Sequence, residues 1–137
     1  MIKERYCSSE VSRLLREKGF DEACTHLYYN DDLEFVNDNV YGHVLRNSSI
    51  ANKDFITAPT HQMACDWLGE VYGIYITIVY GDYPSLNKVF WTPQINSLKG
   101  FDLPDDFYKE YDERGEACEA ALKYVLENLI LYESMDS

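Results

Sequence analysis

Thr57-Ala58-Pro59-Thr60-His61-Gln62-Met63-Ala64-Cys65-Asp66-Trp67-Leu68-Gly69-Glu70-Val71-Tyr72-Gly73-Ile74-Tyr75-Ile76-Thr77-Ile78-Val79-Tyr80, residues 57–80, is the stretch that decides the fold. Pro59 holds Ala58 in extended backbone, so a helix starts no earlier than Pro59. The Thr60 hydroxyl can accept from a free N–H of the first turn. Met63, Ala64, Trp67, Leu68 and Val71 then recur at helical spacing and make one apolar stripe. Gly73 stands where a left-handed residue ends a helix, and the period changes there from about 3.6 to about 2. Ile74, Ile76 and Ile78 fall on one face of a strand, with Tyr75, Thr77 and Val79 on the other. A helix folded back on a strand is the expected core.

The flanks read in the same terms. Ser8 or Ser9 caps a first helix to about Lys18, with Val11, Leu14 and Leu15 as its stripe and Gly19 as its stop. Strands are predicted near Cys24–Tyr29 and Leu33–Val36, joined by Asn30-Asp31-Asp32. Residues 37–56 are polar and aperiodic and read as a long loop. Gly81–Asn87 reads as a turn-rich connection into a strand at Lys88–Trp91, which Pro93 confines to an edge or ends. A loop over Asn96–Asp106 and a short strand or helical lead-in at Phe107–Tyr111, with strand favoured, precede a last helix, Glu113–Leu131, with Asp112 as N-cap. The expectation is one α+β domain over residues 1–137, with 1–7 and 132–137 frayed. Its order is α-β-β-α-β-β-(β)-α, with a mostly antiparallel sheet of about four or five strands and the helices on one face. Ser8–Val36 and Thr60–Trp91 rhyme as an α-β-β pseudo-repeat.

Composition narrows the partners. Net charge is −12, which argues against a nucleic acid or an anionic membrane met through a basic patch. Residues 101–137 carry eleven acids against three bases, so a basic protein partner or simple solubility explains the tail. No apolar run reaches membrane-spanning length and no signal-peptide centre precedes the first helix, so a cytoplasmic location is expected. Cys7, Cys24, Cys65 and Cys118 lack paired spacing and read as free thiols.

Ala58-Pro59-Thr60-His61-Gln62-Met63-Ala64 leading into Trp67-Leu68 resembles the central motif of a family of small proteins of unknown function, widespread in gut bacteria and their phages. The segment Ala117–Ile130 is similar to that family's closing helix, and Glu17–Asp21 with Tyr28-Tyr29-Asn30 to its opening. Gly115 and the long Gly81–Asp106 region depart from the pattern. The resemblance implies an α+β fold and a mobile-element or phage association, and it supplies no activity, cofactor or catalytic residue.

Candidate chemistry is thin. His61 and Cys65 stand four apart on the central helix, the spacing of a nucleophilic dyad, although a packed thiol beside a first-turn histidine explains them as well. Cys24 and His26 alternate as two metal ligands would, without the paired spacing of a zinc site. Asp105-Asp106 with Glu110, or Asp112-Glu113 with Glu116, are acid clusters of the kind that usually stay wet. No P-loop, dinucleotide fingerprint, nucleophile elbow or zincin motif occurs. Neither catalysis, metal nor cofactor is expected. The first reading is a non-enzymatic protein-interaction module. Its surface would be an open sheet face bearing Tyr75, Tyr28, Tyr80 and Trp91, with Glu113, Glu116 and Glu119 facing a basic partner. A small-ligand binder, with a pocket between that face and the Asn37–Asp54 loop, is the alternative, and a cysteine-dependent enzyme comes third.

Overall fold

The computed structural model describes residues 5–35, 45–97 and 109–130. The chain divides into two compact units, residues 1–64 and 65–137, and the division falls inside the central helix. Both units mix helix and antiparallel strand, so the class is α+β.

In the first unit, helix α1 (Ser9–Glu17) starts where the Ser8 hydroxyl accepts from the Val11 N–H at 3.1 Å. It ends in a Schellman closure: the Gly19 N–H donates to Arg16 and the Phe20 N–H to Leu15. Phe20 is thereby buried with Val11 and Leu15. Strands β1 (His26–Tyr29) and β2 (Asp32–Phe35) form a hairpin closed by Asn30 and Asp31, at φ 50° and 68°. Two left-handed central residues make a type I′ turn, whose twist matches the strands.

A third strand, β3 (Phe55–Thr57), takes the other edge of β1 and gives the order β2-β1-β3. Two of its three residues, Phe55 and Ile56, fall in the segment read as a long loop. Three residues are too few to show a period, so their pairing had no local signature. Asn47 ties the preceding turn down: its amide accepts from the Thr57 N–H at 3.1 Å and donates to the Phe20 carbonyl at 3.0 Å. Residues 5–7, expected to fray, are held by the Cys7 N–H on Pro59 and the His61 N–H on Arg5, both 2.9 Å. Val36 and residues 37–44 of the expected loop lie outside the described residues, as do 132–137.

Helix α2 (His61–Tyr72) begins as predicted, with the Thr60 hydroxyl accepting from the Met63 N–H at 3.2 Å. Ala64, Trp67 and Leu68 are buried, whereas Val71 is 55% exposed. The stripe stops a turn short of the helix end, where Tyr72 instead packs edge-on against Trp67 at 5.4 Å. Gly73, at φ 67°, turns the chain into the second unit's ribbon.

That ribbon is longer than predicted. Strands β4 (Ile74–Tyr83) and β5 (Lys88–Ser97) pair in register from Ile74↔Ser97 to Tyr83↔Lys88 around a turn at Pro84–Leu86. Neither Gly81 nor Pro93 breaks it. The Trp91 N–H and carbonyl both bond Tyr111, at 2.8 Å, and so point away from β4. Pro93, two residues on, turns its nitrogen to that same outer edge, where a missing donor leaves the β4–β5 ladder whole. Of the strand expected over Phe107–Tyr111, only the bridge at Tyr111 appears; Phe107 and Tyr108 lie outside the described residues.

Helix α3 (Arg114–Tyr124) is preceded by Glu113, not Asp112, in extended backbone, and no side chain caps it. It continues as a π turn over Val125–Leu129. There the Asn128 amide donates to the Tyr124 carbonyl at 3.0 Å, at the point where the ordinary helical ladder is lost. Ala117, Ala121, Leu122, Val125 and Leu126 are fully buried, and α3 packs on β5 and β4. The single sheet of about four or five strands is therefore corrected: the described strands form one sheet of three and one of two.

Candidate interaction surface

The register of the β4–β5 ribbon sorts its side chains, because directly opposed residues point to the same face. Ile74, Ile76, Ile78, Tyr80 and Asp82 oppose Ser97, Ile95, Pro93, Trp91 and Val89. Tyr75, Thr77, Val79, Gly81 and Tyr83 oppose Asn96, Gln94, Thr92, Phe90 and Lys88. Tyr80 and Trp91 thus stand on the isoleucine face, their rings edge to face at 5.5 Å. The expectation that they share a face with Tyr75 is corrected by parity alone.

Tyr28 belongs to the other sheet, where its hydroxyl donates to the Cys7 carbonyl at 2.6 Å. Tyr75 is 53% exposed, but its ring lies over Gly69 of α2. A side-chain carbon at Gly69 would sit 2.9 Å from that ring, so glycine permits the helix to approach the strand. Tyr75 therefore closes the turn between α2 and β4 as well as facing solvent.

The ribbon's outer half carries the larger exposure. Tyr80 is 54% exposed and Leu86 69%, and Tyr83 and Val89 are exposed beside them. The Phe90 ring crosses Gly81, filling the space a side chain there would take, and packs on Tyr83 at 5.0 Å. Each face thus presents an aromatic pair, Tyr80 with Trp91 and Tyr83 with Phe90. Tyr83 donates to the Glu110 carboxylate, and this bond pushes the phenol's pKa up, since a phenolate there would meet a like charge. The Asp82 carboxylate, 3.3 Å from the Tyr80 hydroxyl, raises that phenol in the same way. Both tyrosines stay neutral hydrogen-bond donors beside acids. Tyr83 and Leu86 escaped the sequence reading because Gly81–Asn87 reads as a turn-rich connection, while Val89 and Phe90 fall in the strand predicted at Lys88–Trp91 without being singled out. The alternation of Asp82-Tyr83 and Val89-Phe90 was the signal available.

The three glutamates differ in setting: Glu113 and Glu116 are exposed, while Glu119 is half-buried. Asp105 and Asp106 lie outside the described residues. His26 is held by rings, 4.3 Å from Tyr6 and 5.2 Å from Phe35, and its Nδ1 lies 2.9 Å from the Thr25 hydroxyl. Its expected companion, Cys24, is buried, and loss of water pushes its thiol up to about 11. Such a thiol is a poor metal ligand and a poor nucleophile.

Cys65 meets Cys118, sulfur to sulfur, at 3.8 Å. The Cys118 thiol holds the Cys65 pKa below its ordinary value, and the Arg114 guanidinium adds to this, against burial and Asp66. The imidazole of His61 lies within 4.8 Å of the fully buried Cys7 thiol. Comparison with known proteins returns no match: no family profile, no curated protein and no solved structure matches this chain.

Proposed function

We propose that the protein is a non-enzymatic binding module that docks onto another protein through the outer half of the β4–β5 ribbon. The observation that carries the reading is the exposure of Tyr80, Tyr83, Leu86 and Val89 together on one two-stranded ribbon. Tyrosine is enriched at the centres of protein interfaces because it brings a large, stiff apolar area with a polar tip. The partner offers an apolar recess rimmed by lysine or arginine. Supporting this are the net charge of −12 and the acids Asp82, Glu110, Glu113 and Glu116 in the ribbon's own unit. Those charges would speed encounter while the aromatic and aliphatic side chains hold the complex. The reading takes the protein as cytoplasmic, without a catalytic site. The resemblance of residues 58–68 and 117–130 to gut-bacterial and phage proteins supports a mobile-element association.

The test is a binding measurement on an identified partner. Proteins retained by the parental chain from its host are identified by mass spectrometry, and each is titrated with a Tyr80→Ala/Leu86→Ala variant. Affinity is expected to fall by about tenfold or more. Replacing Glu113, Glu116 and Glu119 with glutamine should slow association at low salt and leave dissociation nearly unchanged. A folded ribbon variant that binds every identified partner with parental affinity would sink the proposal.

A further inference from the structure

Of the four cysteines, Cys7, Cys24 and Cys118 are buried, whereas Cys65 is partly exposed. Cys65 lies on α2 and Cys118 on α3, 53 positions apart in sequence and 3.8 Å apart at sulfur. One thiol open to solvent with a second, sheltered thiol in contact is the arrangement by which an attacked sulfur is resolved. We propose that Cys65 and Cys118 form a reversible dithiol–disulfide site, with Cys65 as the attacking thiol and Cys118 as the resolving one.

The reaction partner is a low-molecular-weight disulfide such as glutathione disulfide. The Cys65 thiolate attacks one of its sulfurs, the reagent's S–S bond breaks, and one glutathione thiolate leaves and takes up a proton. Cys118 then gives its proton to solvent and attacks the Cys65 sulfur, expelling the second glutathione. The protein gives up two electrons and two protons in forming its disulfide, and one glutathione disulfide becomes two glutathiones. Two features favour Cys65 as the attacker. A Cys118 S–H 3.8 Å away can donate to a Cys65 thiolate and so favours it, and the Arg114 guanidinium acts in the same direction. The S···S gap must close from 3.8 Å to about 2 Å, which asks for side-chain rotation and a small approach of the two helices.

The intact protein is equilibrated in glutathione buffers from fully reduced to excess disulfide, quenched in acid, alkylated and mapped by mass spectrometry. The expected product joins the Cys65 and Cys118 peptides, leaves Cys7 and Cys24 alkylated, and is reversed by dithiothreitol. In Cys118→Ser, Cys65 should accumulate as its glutathione adduct; in Cys65→Ser, Cys118 should stay a thiol. The parental map decides the matter even if a variant fails to fold. Three results would overturn the proposal: four alkylated thiols in excess glutathione disulfide, a stable glutathione adduct on parental Cys65, or a link through Cys7 or Cys24.

Discussion

The two hairpins of this chain follow the same order, helix then antiparallel pair, yet one is short and laterally braced and the other long and braced from its face. β1 and β2 have four residues each, and β3 joins the free edge of β1. β4 and β5 have ten each, and α3 packs against them. Their apolar residues meet different fates. Leu33 and Phe35 of β2 are exposed, Phe35 at 63%, while Ile74 and Ile95 at the ribbon's base are buried. Isoleucine and phenylalanine are about equally driven from water. What covers the strand decides which of them gets its burial.

The comparison can be broken most sharply at the ribbon's base. Ile74 is fully buried, so Ile74→Ala should cost about 2–5 kcal/mol in urea unfolding. A loss under about 1 kcal/mol would mean that the base of the ribbon is no core. A smaller effect is expected at the short hairpin's turn. Asn30 sits at φ 50°, a region a β-branched residue resists, so Asn30→Val should cost about 1–2 kcal/mol. An unchanged unfolding midpoint would show that the turn adopts another form in solution. Weaker still, Leu33→Thr should stay within about 0.5 kcal/mol, because its side chain is exposed on an edge strand. A loss several times larger would reveal a cover over β2.

The smallest expected effect is a titration. The Ser48 N–H donates to the Asp21 carboxylate at 2.7 Å and holds that carboxyl below its ordinary value of 3.8. A lowered carboxyl contributes stability above its ordinary value and loses it as pH falls through the lowered one. The Ser48 amide resonance should therefore titrate below pH 3.8, and Asp21→Asn should abolish that titration. A midpoint at or above 3.8 would mean that the bond between the 45–49 turn and Asp21 does not form.

Much of the local architecture was legible because it rests on local rules. Ser8 and Thr60 cap their helices as their hydroxyls allow. Gly73 adopts the left-handed backbone predicted for it, and Asn30-Asp31 turns the hairpin. The surface was legible only in part. Tyr75 and Tyr80 are both exposed, but they stand on opposite faces, as the alternation running from Ile74 to Tyr80 already implied.

The sequence by itself determined the α+β class, the start of each of the first two helices and the apolar face of β4, since caps, periods and turn residues act over a few positions. Pairing between distant segments was decided by the tertiary structure alone. β3 joins β1 across more than twenty residues, and Tyr111 reaches Trp91. Cys65 meets Cys118 across 53 positions, and no spacing rule links two thiols on different helices. Backbone donors and acceptors are alike in every residue but proline, so which strand edge they satisfy depends on what the packed chain brings beside them.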